Sequence, residues 1–463
     1  MSSMLWSAPV ADCPLDAVVE IPGSKSLTNR RLVVAALADA PTRVVGALRS
    51  RDTDLMVEAL SALGVGFEWV DSSTLLVTPL AEEALWEHAP VSIDCGLAGT
   101  VMRFVPYVAA LLRRPVTFDG DAAARVRPMG AVIAGLRALG ADVVGGEDGF
   151  LPFTVTGSDR VAGGEISLDA TGSSQFVSGP LLVGARLPRG LVVRHVGGAV
   201  PSPQHVEMTV ATLRAAGVDA SVGADGVSWS VAAGPLSPGD VVVEPDLSNA
   251  GPFLAAALVC GGRVAIPRWP SSTTQIGAEW ERLLPRFGAR VHREPDAFGT
   301  ERLVVTGGGR ISGVEADGLA ELAPTAAALC ALADGPSTLT GIAHLRGHET
   351  DRLAALAAEL SAVGSPTIET ENGLVIRPSG ELRPTVFGSY EDHRMATAGA
   401  IIGLAVEGLK VENIETTSKT MPDFPAMWAD MLSQKAVANP DTGHPLPTML
   451  PPKTQAAGSD GAA

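Results

Sequence analysis

Pro22-Gly23-Ser24-Lys25-Ser26-Leu27-Thr28-Asn29-Arg30 places a lysine and, five residues on, an arginine at the entry to an apolar helical segment. Free N–H groups and the positive end of the dipole make a helix start attractive to phosphate or carboxylate, and added cations strengthen that preference. A capped helix with solvated basic ends explains this stretch equally well when it is taken alone, and it does not fit the GxxxxGK[ST] phosphate loop. Comparable stretches follow along the chain. Leu97-Ala98-Gly99-Thr100 offers a glycine at which backbone could come close to a ligand. Arg125-Val126-Arg127-Pro128 supplies two arginines before Pro128, which is expected at the first position of a helix. Gly172-Ser173-Ser174-Gln175-Phe176 presents three neutral hydrogen-bonding side chains, and Arg346-Gly347-His348-Glu349-Thr350-Asp351-Arg352 is dense in ionisable groups. Glu391-Asp392-His393-Arg394 and Ser418-Lys419-Thr420-Met421-Pro422-Asp423 close the series. Each alone is also a plain cap, turn or solvated face. Basic groups recurring at equivalent turns suggest a shared anion site.

The bulk of the chain sharpens that suggestion. It has 34 Lys plus Arg against 51 Asp plus Glu, a net charge of −17, which argues against nucleic acid or an anionic membrane as partner. Any anionic ligand must therefore be held by a local basic pocket. Cys13, Cys95, Cys260 and Cys330 are far apart and form neither a disulfide framework nor a zinc ribbon, which fits a reducing cytoplasm. The sequence shows no targeting segment and no run of the roughly 20 apolar residues that a membrane span needs.

The elements that must position these residues are visible as an internal repeat. Leu-x-x-x-Gly occurs at Leu60–Gly64, Leu136–Gly140, Leu213–Gly217, Leu284–Gly288 and Leu360–Gly364, with the glycines 76, 77, 71 and 76 residues apart. Each glycine suits a helix C-cap, and strand, turn and strand patterns follow it. Between the caps lie six segments rich in small apolar residues, among them LAPTAAALCALA and HRMATAGAIIGLAV. Nearly free of charge, they are expected to be buried helices. The reading is α/β, with six βαβαββ-like units, three in each of two similar domains, and the small-residue helices inside. The last unit is clipped after a helix beginning near Asp423, and the Pro- and Gly-rich tail 436–463 is expected to be disordered.

PGSKSLTNR, LAGTVMR, GD followed by RVRP, SSQF, HETDRL, EDHRMA and SKTMPDF, in this order over roughly residues 15 to 432, resemble the motif series of the 5-enolpyruvylshikimate-3-phosphate synthases, a family of enolpyruvyl transferases. The resemblance implies an inside-out α/β barrel of two domains, here 1–22 plus 245–435 and 23–244. It further implies a monomeric cytoplasmic enzyme of aromatic amino-acid biosynthesis. Such an enzyme moves the enolpyruvyl group of phosphoenolpyruvate to the 5-hydroxyl of 3-phosphoshikimate and releases phosphate, with no cofactor and no metal. By the same resemblance Lys25, Gly99, Arg127, Gln175, Arg352, Arg394 and Lys419 receive phosphoenolpyruvate. Lys25, Ser26, Arg30, Ser173, Ser174, Ser202, Glu321, His344 and His348 hold 3-phosphoshikimate. Glu321 takes the hydroxyl proton, and Glu349, assisted by Lys25, exchanges a proton at the methylene carbon. Two carboxyl groups in different environments suit a reaction that both adds and removes protons.

Several residues depart from the family's usual pattern: Leu97 for Asn, His205 for Tyr, Glu321 for Asp, His344 for Asn and His348 for Lys. They leave the detailed grip on 3-phosphoshikimate and the response to the inhibitor glyphosate open. Two other readings stay beside the first. One is a sister transferase acting on UDP-N-acetylglucosamine, although Ser26 follows Lys25 and no Cys stands around 120–128. The other is a catalytically silent paralogue that binds phosphorylated metabolites. A metallohydrolase reading of His344, His348 and Glu349 fails because HETDR is not HExxH.

Overall fold

The computed structural model describes residues 4–11, 14–297, 299–347 and 349–435; Cys13, His348 and the tail 436–463 lie outside the described residues. Helices Arg51–Ala62, Gly130–Leu139, Gln204–Ala215, Trp280–Arg286 and Arg352–Ala362 end just before Gly64, Gly140, Gly217, Gly288 and Gly364. All five glycines are left-handed, with φ between +82° and +109°. At Gly140 an added Cβ would lie 2.6 Å from the Arg160 carbonyl oxygen, so conformation and space both demand glycine there. An antiparallel hairpin follows every cap, for example Asp142–Gly145 with Phe153–Thr156 and Thr367–Thr370 with Gly373–Ile376.

The small-residue segments form helices Lys25–Ala36, Gly99–Ala109, Gln175–Val183, Leu247–Cys260, Ala323–Ala331 and His393–Gly403. Every residue of Ala323–Ala331 is buried. Their composition has a packing reason, because a Cβ on Gly179 would fall 2.4 Å from the Arg103 carbonyl oxygen and one on Gly251 would fall 2.5 Å from the Trp280 ring. Among the described residues five four-stranded sheets and one three-stranded sheet lie around these helices. Each four-stranded sheet joins one parallel pair to an antiparallel hairpin, as in the order Val91–Asp94, Val116–Asp119, Phe153–Thr156, Asp142–Gly145. In the three-stranded sheet the amino-terminal strand Leu5–Ser7 pairs with Lys410–Glu412, which in turn pairs with Val386–Phe387.

Two strands leave the repeat order. Leu15–Val18 precedes helix Lys25–Ala36 yet pairs in parallel with Gly262–Trp269, and Val241–Val242 pairs in parallel with Thr42–Val45. The connections pass each other at the Gly23–Pro245 bridge, and the Gly23 Cα lies so near Gly46 that a Cβ would meet its carbonyl oxygen at 1.9 Å. One hydrophobic core accordingly unites residues 8–21 with 247–431, and a second is drawn from 27–243. The final helix, Phe424–Ser433, seats Trp428 against Phe253 and Phe424, with ring centroids 5.5 and 5.3 Å away.

The helix after Arg127 begins at Gly130 with Met129 as N-cap, so Pro128 stands before the cap and not at the first helical position. The Met129 N–H is taken by the Gly149 carbonyl oxygen of the following hairpin, which fixes the later start. Cys95, Cys260 and Cys330 are buried, and no helix among the described residues is long and apolar enough to cross a membrane. Gly140→Ala is expected to destabilise the fold by about 1–3 kcal/mol through its left-handed φ, read as a lower midpoint in urea at unchanged m-value.

Candidate active site

All six inner helices point their amino termini at one cavity between the two cores, and residues at or just before each start line it. Lys25 and Ser26 come from the first, Gly99 and Arg103 from the second, and Ser173, Ser174 and Gln175 from the third. Asp246 and Ser248, Glu321, and His393 with Arg394 represent the other three. Loops and adjoining helices add Asp52, Arg127, Ser202, His205, His344, Glu349, Arg352 and Lys419. Among the described residues the lining holds the permanent cations Lys25, Arg103, Arg127, Arg352, Arg394 and Lys419 against the carboxylates Asp52, Asp246, Glu321 and Glu349, an excess of 6 − 4 = 2 positive charges. In a chain of net charge −17, that local surplus on six helix starts favours a polyanionic guest.

The backbone is arranged to aim these groups. Ser202, Ala320, Tyr390 and Glu391 are non-glycine residues with φ of +47°, +43°, +54° and +56°, each within three residues of a lining side chain or itself part of the lining. Asp392, fully buried, caps helix His393–Gly403 by accepting from the Arg394 N–H and also grips Arg352, with Nε to Oδ2 at 2.7 Å and Nη2 to Oδ1 at 3.2 Å. Arg352 Nη2 further donates to Glu349 at 2.9 Å, and Lys419 Nζ donates to the other Glu349 oxygen at 2.8 Å. Glu349 is thus held between two cations. Burial opposes the charged form of Arg352, but Asp392, Glu349 and Glu321 outweigh it and hold its guanidinium above the ordinary value.

On the other wall Lys25 Nζ donates to Asp52 at 3.1 Å, while the Lys25 N–H donates to Asp246 Oδ2 at 3.3 Å. Arg127 donates to the Leu97 carbonyl oxygen at 3.3 Å, so the leucine at that position serves through its backbone. A Cβ on Gly99 would come within 3.3 Å of Gln175 Oε1 and 3.4 Å of the Arg127 guanidinium, which locates the close approach at this glycine. Neither Arg127 nor Arg394 has a carboxylate within ion-pair distance among the described residues.

Glu321 Oε1 accepts from Ser248 at 3.5 Å and lies 3.3 Å from His205 Nε2. Burial pushes the Glu321 carboxyl up, but the charge and hydrogen bond of His205, the charge of Arg394 and a backbone N–H together hold it well below the usual carboxylate range. His344 is pushed down by burial despite the Glu321 charge, with Arg352 adding to the fall, and buried His393 is pushed well below its ordinary value, chiefly by burial and Arg394. No group of His, Cys, Asp and Glu among the described residues is arranged to hold a metal ion.

Of the residues singled out from sequence, Lys25, Ser26, Gly99, Arg127, Ser173, Ser174, Gln175, Ser202, Glu321, His344, Glu349, Arg352, Arg394 and Lys419 share this cavity. Arg30 does not line it. It sits one layer behind, 1 % exposed, donating to Thr209 Oγ1, the Ser26 and His205 carbonyl oxygens and Ser178 Oγ. Helical geometry gives the reason, since five residues after Lys25 the side chain has turned toward helix Gln204–Ala215. Burial pulls its guanidinium down to about 9, without a carboxylate partner. His348 lies outside the described residues.

Sequence reasoning missed Arg103, Asp52, Asp246 and Asp392. Arg103 was recoverable, being the one charged residue of GTVMRFVPYVA. Its Nη1 donates to Ser173 Oγ at 3.2 Å and to Gln175 Oε1 at 2.8 Å, its Nε is unsatisfied among the described residues, and it lies over the Phe176 ring at 5.0 Å. Burial, with the neighbouring Arg127 charge, pulls it down to about 9, so it stays charged at neutral pH and lacks only an anion.

Residues 11–428 match the family model for EPSP synthase (3-phosphoshikimate 1-carboxyvinyltransferase). Over 440 residues the chain is 54% identical to the 3-phosphoshikimate 1-carboxyvinyltransferase of Kocuria rhizophila, spanning 93% of this chain and 97% of that protein. A solved EPSP synthase of Acinetobacter baumannii superposes with a TM-score of 0.76 at 25% identity, covering 92% of this chain and 97% of its own. A second structure of that organism's enzyme, at 24% identity and a TM-score of 0.74 over the same shares, bears on the fold alone. Helix starts converging from two cores, a surplus of cations and a match running through both halves have one common account: the chain belongs to the EPSP synthase family and has its two-domain inside-out α/β fold.

Proposed function

We propose that this chain transfers the enolpyruvyl group of phosphoenolpyruvate to the 5-hydroxyl of 3-phosphoshikimate and releases phosphate, as the name of its 54% identical relative indicates. The observation that carries the reading is the meeting of six cations, from both cores, in the one cavity that the amino termini of the inner helices face. Two phosphorylated carboxylates brought side by side repel each other, and such a cavity offsets that repulsion before reaction begins.

Arg127, Arg352, Arg394 and Lys419, with Lys25, Gly99 and Gln175, form the side that receives phosphoenolpyruvate. A planar guanidinium can take a carboxylate or phosphate edge in two parallel hydrogen bonds, which suits arginine to this place. Ser26, Ser173, Ser174, Ser202 and His344 hold 3-phosphoshikimate, with Arg30 supporting from behind. Glu321, kept ionised, accepts the proton of the 5-hydroxyl as the hydroxyl oxygen bonds to C2 of phosphoenolpyruvate, while Glu349, its proton supplied through Lys25, protonates C3. Loss of that C3 proton to Glu349 and departure of phosphate then restore the vinyl group. Glu349 suits proton exchange because Arg352 and Lys419 hold it in place, with Lys25 beside it in the cavity. Residues 1–22 with 245–435 and residues 23–244 act as the two domains, and closing them excludes water from these charges.

Phosphate release is expected when phosphoenolpyruvate and 3-phosphoshikimate are supplied together, and neither from each alone nor with UDP-N-acetylglucosamine as acceptor. A silent binding protein or the sister transferase would give a different pattern. Arg394→Ala is expected to lower kcat/KM by about 10²–10³-fold at unchanged thermal stability. Arg352→Ala should lower activity similarly and also destabilise the fold by about 3–5 kcal/mol, because it strands the buried Asp392 carboxylate. The Glu321 carboxyl, ordinarily near 4.5, is depressed on folding, so its stabilisation is full above that value and is lost as pH falls through the folded value. The Tm advantage of the wild type over Glu321→Gln should accordingly be largest at neutral pH and shrink below about pH 4.5.

A further inference from the structure

His205 and Glu321 belong to different cores, yet their side chains meet across the cavity with Nε2 3.3 Å from Oε1. Both are presented by strained backbone: Ser202, at φ +47°, precedes helix Gln204–Ala215, and Ala320, at φ +43°, precedes Glu321. The His205 backbone is pinned too, since its carbonyl oxygen accepts from Arg30 Nη2 at 2.9 Å and from Thr209 Oγ1 at 3.0 Å. We propose that His205 is a positioning residue, whose contact across the cavity fixes the Glu321 carboxylate for the acceptor hydroxyl. The inference rests on the function proposed above.

The chemistry favours this pairing over one of chance. An imidazole ring nitrogen 3.3 Å from a carboxylate oxygen is close enough to bear on the orientation of that carboxylate. Tethering one oxygen selects the orientation of the carboxylate, as an orienting partner does in any base held by a second group. The surroundings leave His205 as the donor that bridges the two halves. Around Glu321 stand Arg394, His344 and Arg352, all carried by the same half as Glu321 itself. Around helix Gln204–Ala215, helix Lys25–Ala36 brings Arg30 to the His205 carbonyl and Lys25 to the shared cavity, helix Gln175–Val183 and strand Ala220–Val222 bring no titratable side chain, and Glu207 is on the helix itself. Arg30 is committed to backbone and hydroxyl acceptors and Lys25 to Asp52. A link between the opposite half and the base therefore falls to His205.

The test is a double-mutant cycle on the full chain with His205→Ala, His205→Gln, Glu321→Ala and the His205→Ala/Glu321→Ala pair. His205→Ala is expected to lower kcat about ten- to hundredfold, the weight of a hydrogen bond to a charged group, with KM for phosphoenolpyruvate changed less than about twofold. His205→Gln, which keeps an N–H donor, should recover most of kcat. In the Glu321→Ala background, removing His205 should cost nothing further. Losses that multiply in the double variant, a His205→Ala enzyme with unaltered kcat, or a His205→Gln enzyme as impaired as His205→Ala would each overturn the proposal. The same four proteins followed by thermal unfolding without substrates give a readout independent of turnover: non-additive Tm losses support the pair and additive ones overturn it. Absence of phosphate release from the wild type would sink the proposed function instead, and the unfolding cycle would still decide whether the pair exists.

Discussion

A buried guanidinium must find acceptors for its N–H groups, and the cavity is organised by how Arg352 meets that demand. Arg352 is 1 % exposed and lies between Asp392, fully buried, and Glu349. Asp392 stays fixed to it through two hydrogen bonds and the cap of helix His393–Gly403, so this ion pair is a permanent part of the wall. Glu349 is different. It also takes Lys419, so this carboxylate shares the cavity's cations with any anion that enters. Arg103, Arg127 and Arg394, without carboxylates at ion-pair distance among the described residues, complete the unmet positive charge.

The fold makes such a site possible by turning its helices inward. A helix buried on all sides must present almost nothing but small apolar residues, as Gln175–Val183, Leu247–Cys260 and Ala323–Ala331 do. Their polar groups lie chiefly at the ends, where unpaired N–H groups need acceptors. Asp246 and Asp392 satisfy some such groups at the inner helix starts, and a bound anion can satisfy others. The side chains that line the cavity are consequently found mostly at helix starts and in the loops just before them. The positive φ values at Ser202, Ala320, Tyr390 and Glu391 show backbone strain in those same loops, held in place by rigid helices behind.

Much of this was legible in the residues. Lys25, Arg127, Arg352, Arg394 and Lys419 announced themselves as basic groups at recurrent turns of an acidic chain, and the chain's likeness to a family gave them order. Arg30 was misplaced because sequence spacing says which face of a helix a residue takes only once the neighbouring helix is known. Arg103 was passed over as a single charge in an apolar segment, and Asp392 because its charged neighbours drew the attention; the importance of each comes from partners 40 to 72 residues away. His205 looked like a departure from pattern, and its contact with Glu321 gives the departure a partner 116 residues along the chain.

The sequence by itself determined the repeat: helix ends at Gly64, Gly140, Gly217, Gly288 and Gly364, hairpins after them and charge-free helices between, because each of these follows from local conformational preference and from the need to bury apolar surface. What only the tertiary structure decided is which copies join. Local preference makes Leu15–Val18 and Val241–Val242 equivalent strands and says nothing about which sheet either completes; their exchange between the two halves, and the pairing of His205 with Glu321 that spans the cavity, are set by packing between segments more than 100 residues apart. Strand pairing and side-chain contact over such separations depend on where whole units come to rest, and that information resides in the assembled cores.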